Sequence, residues 1–377
     1  MSSIAGTLTK KTRAMVFEGP GKPLELREFS RQTLAAGELL VEVTCTTLCG
    51  SDLHSYEGRR ETPCPTILGH EILGRVSELR PGDPPLDLHG SKLAVGDRVT
   101  WAVAASCGAC FYCEHGLPQK CEHLFKYGHE QADHRHPLSG GLAEHCHLAR
   151  GTAILKVPDS LPDEVACPAN CATATVAAAL RAAGECRGRA VLVQGAGMLG
   201  LTAAAMARHQ GASEVIVCDL DDERLQWAAR FGATHSVRVD IDGSDLTDAV
   251  AEVTDGRGVD IALELSGSAA AIESGLPLLR IGGRYVLVGT VFPTQAVPLS
   301  PEMVVRRLLR IEGVHNYTPA DLLKAIDFLT VTQAEYPFGQ LVMGHFPLAE
   351  SEAAFQYALT TKAPRVAVLP NAGGRKH

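Results

Sequence analysis

The sequence has few aromatic residues and no excess of positive charge. Phe, Trp and Tyr make up 5% of the 377 residues, and 35 Lys and Arg face 43 Asp and Glu, a formal net charge of −8. No apolar run reaches the roughly 18 residues that a bilayer-spanning helix requires. This composition does not indicate a nucleic-acid-binding or membrane-binding surface, although it leaves room for a local basic pocket.

The N-terminal residues 1–15 contain no continuous apolar core of signal-peptide length. We therefore expect a cytoplasmic protein whose thiols stay reduced. Twelve cysteines in such a chain point to metal binding, catalysis or burial rather than to disulfides.

Four of these cysteines lie close together in the run CGACFYCEHGLPQKC. They are Cys107, Cys110, Cys113 and Cys121. Four thiolates at this spacing can enclose one tetrahedral metal ion, and Zn²⁺ is the usual occupant of a closed site of this kind. Two disulfides are the alternative, which a reducing compartment disfavours. We predict a structural zinc lobe over residues 107–121.

The pattern of apolar residues changes near residue 171. Short β-like runs broken by Gly and Pro precede this point. Beyond it, near-continuous apolar runs alternate with helix-like segments, which is typical of a doubly wound parallel sheet. The apolar runs are residues 190–194, 214–219, 259–265 and 284–289. We predict a β-rich domain over 1–170, a parallel-sheet domain over 171–314 and a C-terminal segment over 315–377.

A glycine-rich turn follows the first of these apolar runs. Its residues are Gly195, Ala196, Gly197, Met198, Leu199 and Gly200, a GxGxxG motif between a strand and a helix. In this context the glycines allow a tight turn, close approach to a pyrophosphate and close helix–strand packing. The helix N-terminus then offers free N–H groups to the phosphates. A packing turn without a ligand is the plainer alternative.

Asp219 lies 19 residues after Gly200, at the end of the next predicted strand. A carboxylate there accepts hydrogen bonds from ribose hydroxyls and repels a 2′-phosphate, which favours NAD over NADP. Arg224, five residues further on, is a cation that could soften this preference.

Two short motifs in the first domain are CGSDLH (49–54) and GHEILG (69–74). Together with the cysteine lobe and the glycine motif they resemble the zinc-containing medium-chain alcohol dehydrogenases over about residues 12–370. The resemblance implies a GroES-like catalytic domain and a Rossmann-like coenzyme domain with the active site in the cleft between them. It also implies a C-terminal segment that returns to the catalytic domain, and a homodimer or homotetramer.

The resemblance further implies a catalytic zinc bound by Cys49, His70 and Cys171, in addition to the structural zinc. Cys171 lies 24 residues before Gly195, as in the family, whereas the competing Cys167 lies 28 before it. Three protein ligands leave one position open for an alcohol oxygen.

Other positions resemble supporting residues of the family. Glu71 resembles a carboxylate that can approach the metal, and Asp52 resembles the acid that orients the ligating histidine. Ser51 and His54 resemble the two ends of a proton relay. Arg365 resembles a basic residue that reaches the pyrophosphate, with a plain surface arginine as the alternative.

The residue after the first zinc ligand is Gly50, where ethanol-oxidising members carry a basic residue. The CGSDxH string is instead similar to sorbitol, threonine and butanediol dehydrogenases. A zinc-free quinone reductase and a non-catalytic metal or redox sensor are the rival hypotheses. Both hypotheses predict that zinc ligands or the glycine motif are missing from the sequence. The zinc-ligand positions and the glycine motif are all present.

The substrate is predicted to be a small functionalised alcohol, either a polyol or an anionic compound, converted to an aldehyde or ketone. Arg59 and Arg60 could bind a phosphate, phosphonate or carboxylate, and this stretch resembles a branch associated with phosphonate metabolism. A solvated basic loop is the alternative. The segment 123–147 is rich in histidine, and its His129 could approach a substrate anion. A third metal site is the other interpretation of that segment, but it lacks a fixed ligand spacing.

Overall fold

The computed structural model describes residues 10–371 except 81, 83, 134 and 241–243. His134 of the histidine-rich segment therefore lies outside the described residues. The chain forms two compact units, one from Met1–Asn170 with Gly339–His377 and the other from Cys171–Phe338. Within the described ranges, none of the helices has the length and apolar character needed to cross a membrane.

The strands, numbered in chain order over the described residues, are β1 Lys11–Val16, β2 Glu25–Ser30, β3 Leu39–Leu48, β4 Glu71–Leu79, β5 Arg98–Trp101, β6 Ala104–Ala105, β7 Phe125–Lys126, β8 His145–Leu148, β9 Ile154–Lys156, β10 Ala190–Gln194, β11 Glu214–Asp219, β12 His235–Arg238, β13 Val259–Glu264, β14 Leu279–Leu287, β15 Arg310–Gly313, β16 Val342–Pro347 and β17 Arg365–Leu369. The α-helices are α1 Gly50–Tyr56, α2 Phe111–Glu114, α3 Asp163–Ala166, α4 Ala172–Ala183, α5 Met198–His209, α6 Asp222–Ala228, α7 Ser244–Val253, α8 Ala269–Gly275, α9 Pro301–Arg306, α10 Pro319–Thr332 and α11 Ser351–Thr361.

The first unit is built on a seven-stranded sheet in which β3 is the central long strand. The order is β16-β17-β3-β4-β5-β9, and β8 also pairs with β3. Alternate side chains of β3 enter two separate apolar clusters, because successive residues of a strand point to opposite faces. Val41 packs with Trp101 in one cluster, and Leu48 packs with Phe355 of α11 in the other.

The pairing register of this sheet brings three strand ends together. β17 is antiparallel to β3 with Val366 opposite Leu48, which places Arg365 beside Cys49. β4 is antiparallel to β3 with Thr47 opposite Glu71. Residues far apart in the sequence therefore meet at one end of the sheet.

The four-cysteine segment is closed at its base by a two-stranded sheet. β6 pairs antiparallel with β7, with Ala105 opposite Phe125. The chain between these strands folds as a small lobe that contains α2.

The second unit contains a six-stranded, wholly parallel sheet in the order β12-β11-β10-β13-β14-β15. The strand order reverses between β10 and β13, which is where doubly wound sheets bind their ligands. The prediction of a doubly wound parallel sheet is confirmed. Apolar side chains of four neighbouring strands form its core: Leu192, Ile216, Ala262 and Tyr285.

The sequence predicts that the chain returns to the first unit at residue 315. In the structure it returns later. Residues 315–338 stay with the second unit, because α10 packs against α4. Arg181 of α4 forms two hydrogen bonds of 2.8 and 2.9 Å with the fully buried carboxylate of Asp321 on α10. The C-terminal part of the first unit therefore begins at Gly339.

Candidate active site

His70 is a buried histidine whose ring is oriented by a carboxylate. Its Nδ1 lies 3.1 Å from Oδ1 of Asp52, which also accepts a hydrogen bond from the Gly69 N–H. The other oxygen of Asp52 accepts from the Cys49 N–H, because Cys49 is the N-cap of α1 and Asp52 is its third residue. With Nδ1 held in this way, Nε2 is left to bind a metal. Burial alone would lower the pKa of His70, but Asp52 and Cys49 raise it to about 10.

Potential ligand atoms of four residues converge beside this histidine. The Sγ atoms of Cys49 and Cys171, a ring nitrogen of His70 and a carboxylate oxygen of Glu71 all lie within 4.8 Å of one another. Two thiols and an imidazole are a donor set that suits Zn²⁺, so the residues present fit the metal.

The position of Cys171 follows from the residue before it. Asn170 is fully buried, and its Nδ2 donates to the carbonyls of His70 (3.1 Å) and Trp101 (2.9 Å). Cys171 is bonded directly to Asn170 and caps the N-terminus of α4. The competing Cys167 is directed elsewhere, with its Sγ donating to the Glu71 carbonyl at 3.3 Å. Among the described residues the ligand group therefore includes Cys171 and not Cys167.

Glu71 is fully buried and held by two strands. Arg365 donates to both of its carboxylate oxygens, each at 2.7 Å, and Thr47 donates to Oε2 at 2.6 Å. Burial raises the pKa of Glu71 to about 7, while the Arg365 charge acts in the opposite direction.

Arg365, which is predicted to reach the pyrophosphate, is held inside the first unit by an ion pair with Glu71. The side chain is only 5% exposed, and its guanidinium faces Glu71 and, at 3.5 Å, the Cys49 sulfur. The β17–β3 register directs it toward the metal ligands.

Ser51 and His54 lie on α1 next to the candidate metal ligands. The Ser51 hydroxyl is 3.4 Å from Nε2 of His70, on the side where a metal would bind. His54 is one helical turn further along, and residues three apart share a face of a helix. Its pKa is lowered by burial and by the charge of Arg59, so the ring is neutral at neutral pH.

The two adjacent arginines have different environments. Arg59 is exposed and paired with Glu57. Arg60 is half-buried, and its Nη1 lies 3.4 Å from Nε2 of His129. The His129 ring packs 4.9 Å from the His70 ring. His129 therefore lies between Arg60 and His70, and of the two arginines only Arg60 contacts it.

The four-cysteine group forms a second cluster of ligand atoms within 4.8 Å of one another. Backbone N–H groups point at the sulfurs, as from Cys107 to Cys121 (3.2 Å) and from Glu122 to Cys110 (3.5 Å). The hydrogen bonds from Glu122 and Cys113 lower the pKa of Cys110 to about 6, which favours the thiolate that a metal requires. The donor set fits a closed zinc site, which has no open position for a substrate.

The glycine motif of the second unit borders a cavity of about 410 Å³ at the carboxyl ends of β10 and β11. Gly195 has a φ of +101°, which a residue with a side chain rarely adopts. A Cβ on Gly200 would lie 1.7 Å from the Gly195 carbonyl oxygen, whereas one on Gly197 would meet nothing within 4 Å. The first glycine therefore makes the turn, the third permits packing, and the second leaves space beside the cavity.

Asp219 also lines this cavity, together with the exposed Arg224. Its carboxylate accepts hydrogen bonds from the N–H groups of Ala196 (2.6 Å) and Asp221 (3.0 Å), so it is fixed beside the glycine turn. Met198 and Leu199 begin α5, with Met198 buried. Met198 and Leu199 are absent from the cavity lining.

Sequence reasoning missed the residues that support this site. Thr47 and Asn170 hold Glu71 and the peptide of His70, but a threonine in a strand and an asparagine before a cysteine carry no distinctive signal. Glu264, also missed, is fully buried at the end of β13 and accepts hydrogen bonds from the Ser266 and Gly267 N–H groups.

Two known families match the chain. The family described as "Alcohol dehydrogenase GroES-like domain" matches residues 35–159, and "Zinc-binding dehydrogenase" matches residues 199–331.

Individual relatives match most of the chain. An L-threonine 3-dehydrogenase of Pyrococcus horikoshii is 32% identical over 81% of this chain and 84% of its own length. A D-arabitol-phosphate dehydrogenase of Enterococcus avium is 30% identical over 89% and 90%. The crystal structure of an alcohol dehydrogenase of Thermotoga maritima superposes with a TM-score of 0.89 at 31% identity, covering 96% of this chain and 99% of that one.

These matches establish the class of protein. The chain belongs to the zinc-containing medium-chain alcohol dehydrogenase family, with a GroES-like domain and a Rossmann-like domain. It is an oxidoreductase that acts on CH–OH groups, and zinc and a nicotinamide dinucleotide are the cofactors of this class.

Proposed function

We propose that this enzyme oxidises a functionalised alcohol, either a polyol or an alcohol with an anionic group, to an aldehyde or ketone, with NAD⁺ as hydride acceptor. The observation that carries the proposal is the convergence of Cys49, His70 and Cys171 within 4.8 Å of one another. Relatives named sorbitol dehydrogenase and D-arabitol-phosphate dehydrogenase support a substrate with several polar groups.

Cys49, His70 and Cys171 would hold a zinc ion that would supply Lewis acidity at an alcohol oxygen, and a bound nicotinamide would supply the hydride acceptor. Asp52 keeps the His70 proton on Nδ1 and so keeps Nε2 available. Arg365 and Thr47 hold the Glu71 carboxylate beside this ligand set without adding a fixed fourth ligand.

The proton of the alcohol needs a path to solvent. The Ser51 hydroxyl can accept and pass on this proton, because it lies 3.4 Å from Nε2 of His70, where the zinc would bind. His54 follows on the same face of α1, and its lowered pKa leaves the ring neutral and able to accept that proton.

Asp219 supports the choice of NAD⁺ over NADP⁺. Both of its oxygens are fixed by backbone N–H groups beside the cavity, so the carboxylate cannot easily turn away from a 2′-phosphate. Arg224 is 45% exposed and lies 4.0 Å from Asp219, so its charge is partly neutralised.

We further propose a cytoplasmic homo-oligomer that associates through the edge of the parallel sheet. All four residues of the edge strand β15 are exposed, and Val305 and Leu308 beside it are 70% and 68% exposed. An edge strand flanked by apolar side chains favours pairing with a second copy. Sedimentation velocity should give the mass of a dimer or tetramer, and a monomer at micromolar concentration would exclude this arrangement.

The test of the catalytic assignment compares the wild-type protein with two cysteine variants by zinc content and NADH formation. Wild-type protein should hold two zinc ions per chain. Cys49→Ser should retain one and lose at least about 1,000-fold in kcat/KM, a loss of about 4 kcal/mol of transition-state stabilisation. Cys64→Ser, outside both ligand groups, should match the wild type. Full activity of Cys49→Ser would refute the assignment.

A further inference from the structure

The neighbouring residues Arg59 and Arg60 differ in the partner that each has. Arg59 is exposed and its guanidinium is paired with Glu57. Arg60 turns inward, because its backbone N–H donates to the His54 carbonyl at 3.0 Å and folds the segment back on α1. Only Arg60 is directed toward the interior of the first unit.

Arg60 has no acidic partner in the part of the chain that the structure describes. No carboxylate oxygen of a described residue lies within 4.0 Å of its guanidinium. Asp52 and Cys49 are the acidic groups whose charges act on it. Both oxygens of Asp52 are already bound to His70, Gly69 and Cys49, and Cys49 is a candidate metal ligand. A half-buried guanidinium without a counter-ion is unfavourable in the free protein, so its retention points to an anion that binds there.

His129 supplies a second donor, on a different side of its ring from the contact with Arg60. A guanidinium can only donate, so the contact with Arg60 makes Nε2 of His129 the acceptor and places the proton of the neutral ring on Nδ1. This Nδ1 is buried and has no partner among the described residues, and the whole side chain is only 7% exposed. Buried donors are normally satisfied, so this one lacks a ligand atom.

The approach of His129 to His70 depends on the preceding glycine. Gly128 has a φ of +73°, and a Cβ at this position would lie 2.7 Å from the Gly69 carbonyl oxygen. Gly128 thus lets the backbone pass close to the metal-ligand segment and brings the His129 ring to 4.9 Å from that of His70. The His129 ring therefore lies beside His70, a predicted ligand of the catalytic zinc, and Arg60 lies beside the His129 ring.

We propose that Arg60 and His129 form the anion-binding end of the substrate site, and that the substrate is an alcohol carrying a phosphate or phosphonate group. This inference rests on the proposed function, because it assumes that the alcohol carbon lies at the Cys49–His70–Cys171 site. A phosphoryl group offers several oxygens, which matches a guanidinium and a separate N–H donor better than a single hydroxyl does.

The test measures binding and turnover separately in zinc-loaded protein. Isothermal titration calorimetry with 2-hydroxyethylphosphonate measures binding, and NADH formation from glycerol 3-phosphate and from glycerol gives a ratio of kcat/KM values. Wild-type protein should prefer the phosphate. Arg60→Gln should weaken phosphonate binding and reduce the phosphate-to-glycerol ratio by about 10- to 100-fold, the usual range for a hydrogen bond to a charged group.

Matched variants separate recognition from general damage. Arg59→Gln removes the same charge one residue away and should keep both values within about twofold, since Arg59 is paired with Glu57. Arg60→Lys keeps the charge but not the two-pronged geometry and should recover only part of the loss. His129→Asn should also lower the ratio, with a KM effect larger than the kcat effect.

Two results would overturn the inference: unchanged phosphonate binding in Arg60→Gln, or equal losses with phosphate and glycerol. A stronger effect of Arg59→Gln would overturn it as well. Failure of the proposed function would look different, since no alcohol would then yield NADH whatever the outcome of the calorimetry.

Discussion

The buried ion pair between Arg365 and Glu71 leads to the sharpest prediction on stability. The Arg365 side chain is 5% exposed and that of Glu71 is 0% exposed, and both carboxylate oxygens are bound at 2.7 Å. Arg365→Met removes the charge but keeps a flexible apolar side chain. It leaves a buried carboxylate that only Thr47 still contacts among its described side-chain donors.

Removing one partner of a buried ion pair typically costs about 3–5 kcal/mol, because the other charge is left uncompensated. We expect Arg365→Met to lower the free energy of unfolding by that amount. Glu71→Gln should lower the free energy of unfolding by a similar amount, because it leaves the buried Arg365 guanidinium without its counter-ion. The double variant should lose about 2–3 kcal/mol less than the sum of the two single losses, because neither charge is then buried alone.

The assay is urea unfolding followed by fluorescence at fixed zinc and protein concentration, with zinc content measured in parallel. The control is Arg75→Met, because the Arg75–Asp159 pair is 43% and 81% exposed and should contribute less than about 1 kcal/mol. The reasoning would be refuted if Arg365→Met unfolded at the wild-type urea concentration and only raised the KM for NAD⁺. That result would instead support a contact between Arg365 and the pyrophosphate of the coenzyme.

Two further predictions concern pH and coenzyme. Burial and the Arg31 charge lower the pKa of His145 to about 4, so the unfolded chain, with a histidine pKa of about 6.5, takes up a proton first as the pH falls. The free energy of unfolding should therefore be retained above pH 6.5 and fall between pH 6.5 and 4 by up to about 1.4 kcal/mol per pH unit, which corresponds to one proton. His145→Gln should remove this one-proton contribution to the slope. An unchanged slope in urea titrations at several pH values would contradict the prediction. Asp219→Ser should lower kcat/KM for NAD⁺ at least about tenfold and improve the use of NADP⁺, and steady-state kinetics showing equal NAD⁺ use would count against the proposed ribose contact.

The sequence predicted the parts of the fold that depend on local pattern. The runs at 190–194 and 214–219 are strands with those bounds, because buried parallel strands are continuously apolar. The structure assigns residues 315–338 to the second unit, because α10 packs against α4 through residues about 140 positions apart. No local pattern carries that information.

The same distinction explains which site residues could be found. Metal ligands are chemically restricted to a few residue types at restricted spacings, so the sequence could single out Cys49, His70 and Cys171, whose potential ligand atoms lie within 4.8 Å of one another. Arg59 and Arg60 were indistinguishable, since only the fold decides which of two adjacent side chains turns inward.

The position of Arg365 shows what the fold contributes to the chemistry. Arg365 and Glu71 are 294 residues apart, and they meet because β17 pairs with β3 on one side while β4 pairs with β3 on the other. A shift of β17 by one residue would turn Arg365 to the opposite face and leave Glu71 without its counter-ion. Because Glu71 is the peptide neighbour of His70, such a shift would also disturb the metal ligand. The last strand of the chain is therefore part of the site, although it supplies none of the predicted metal ligands.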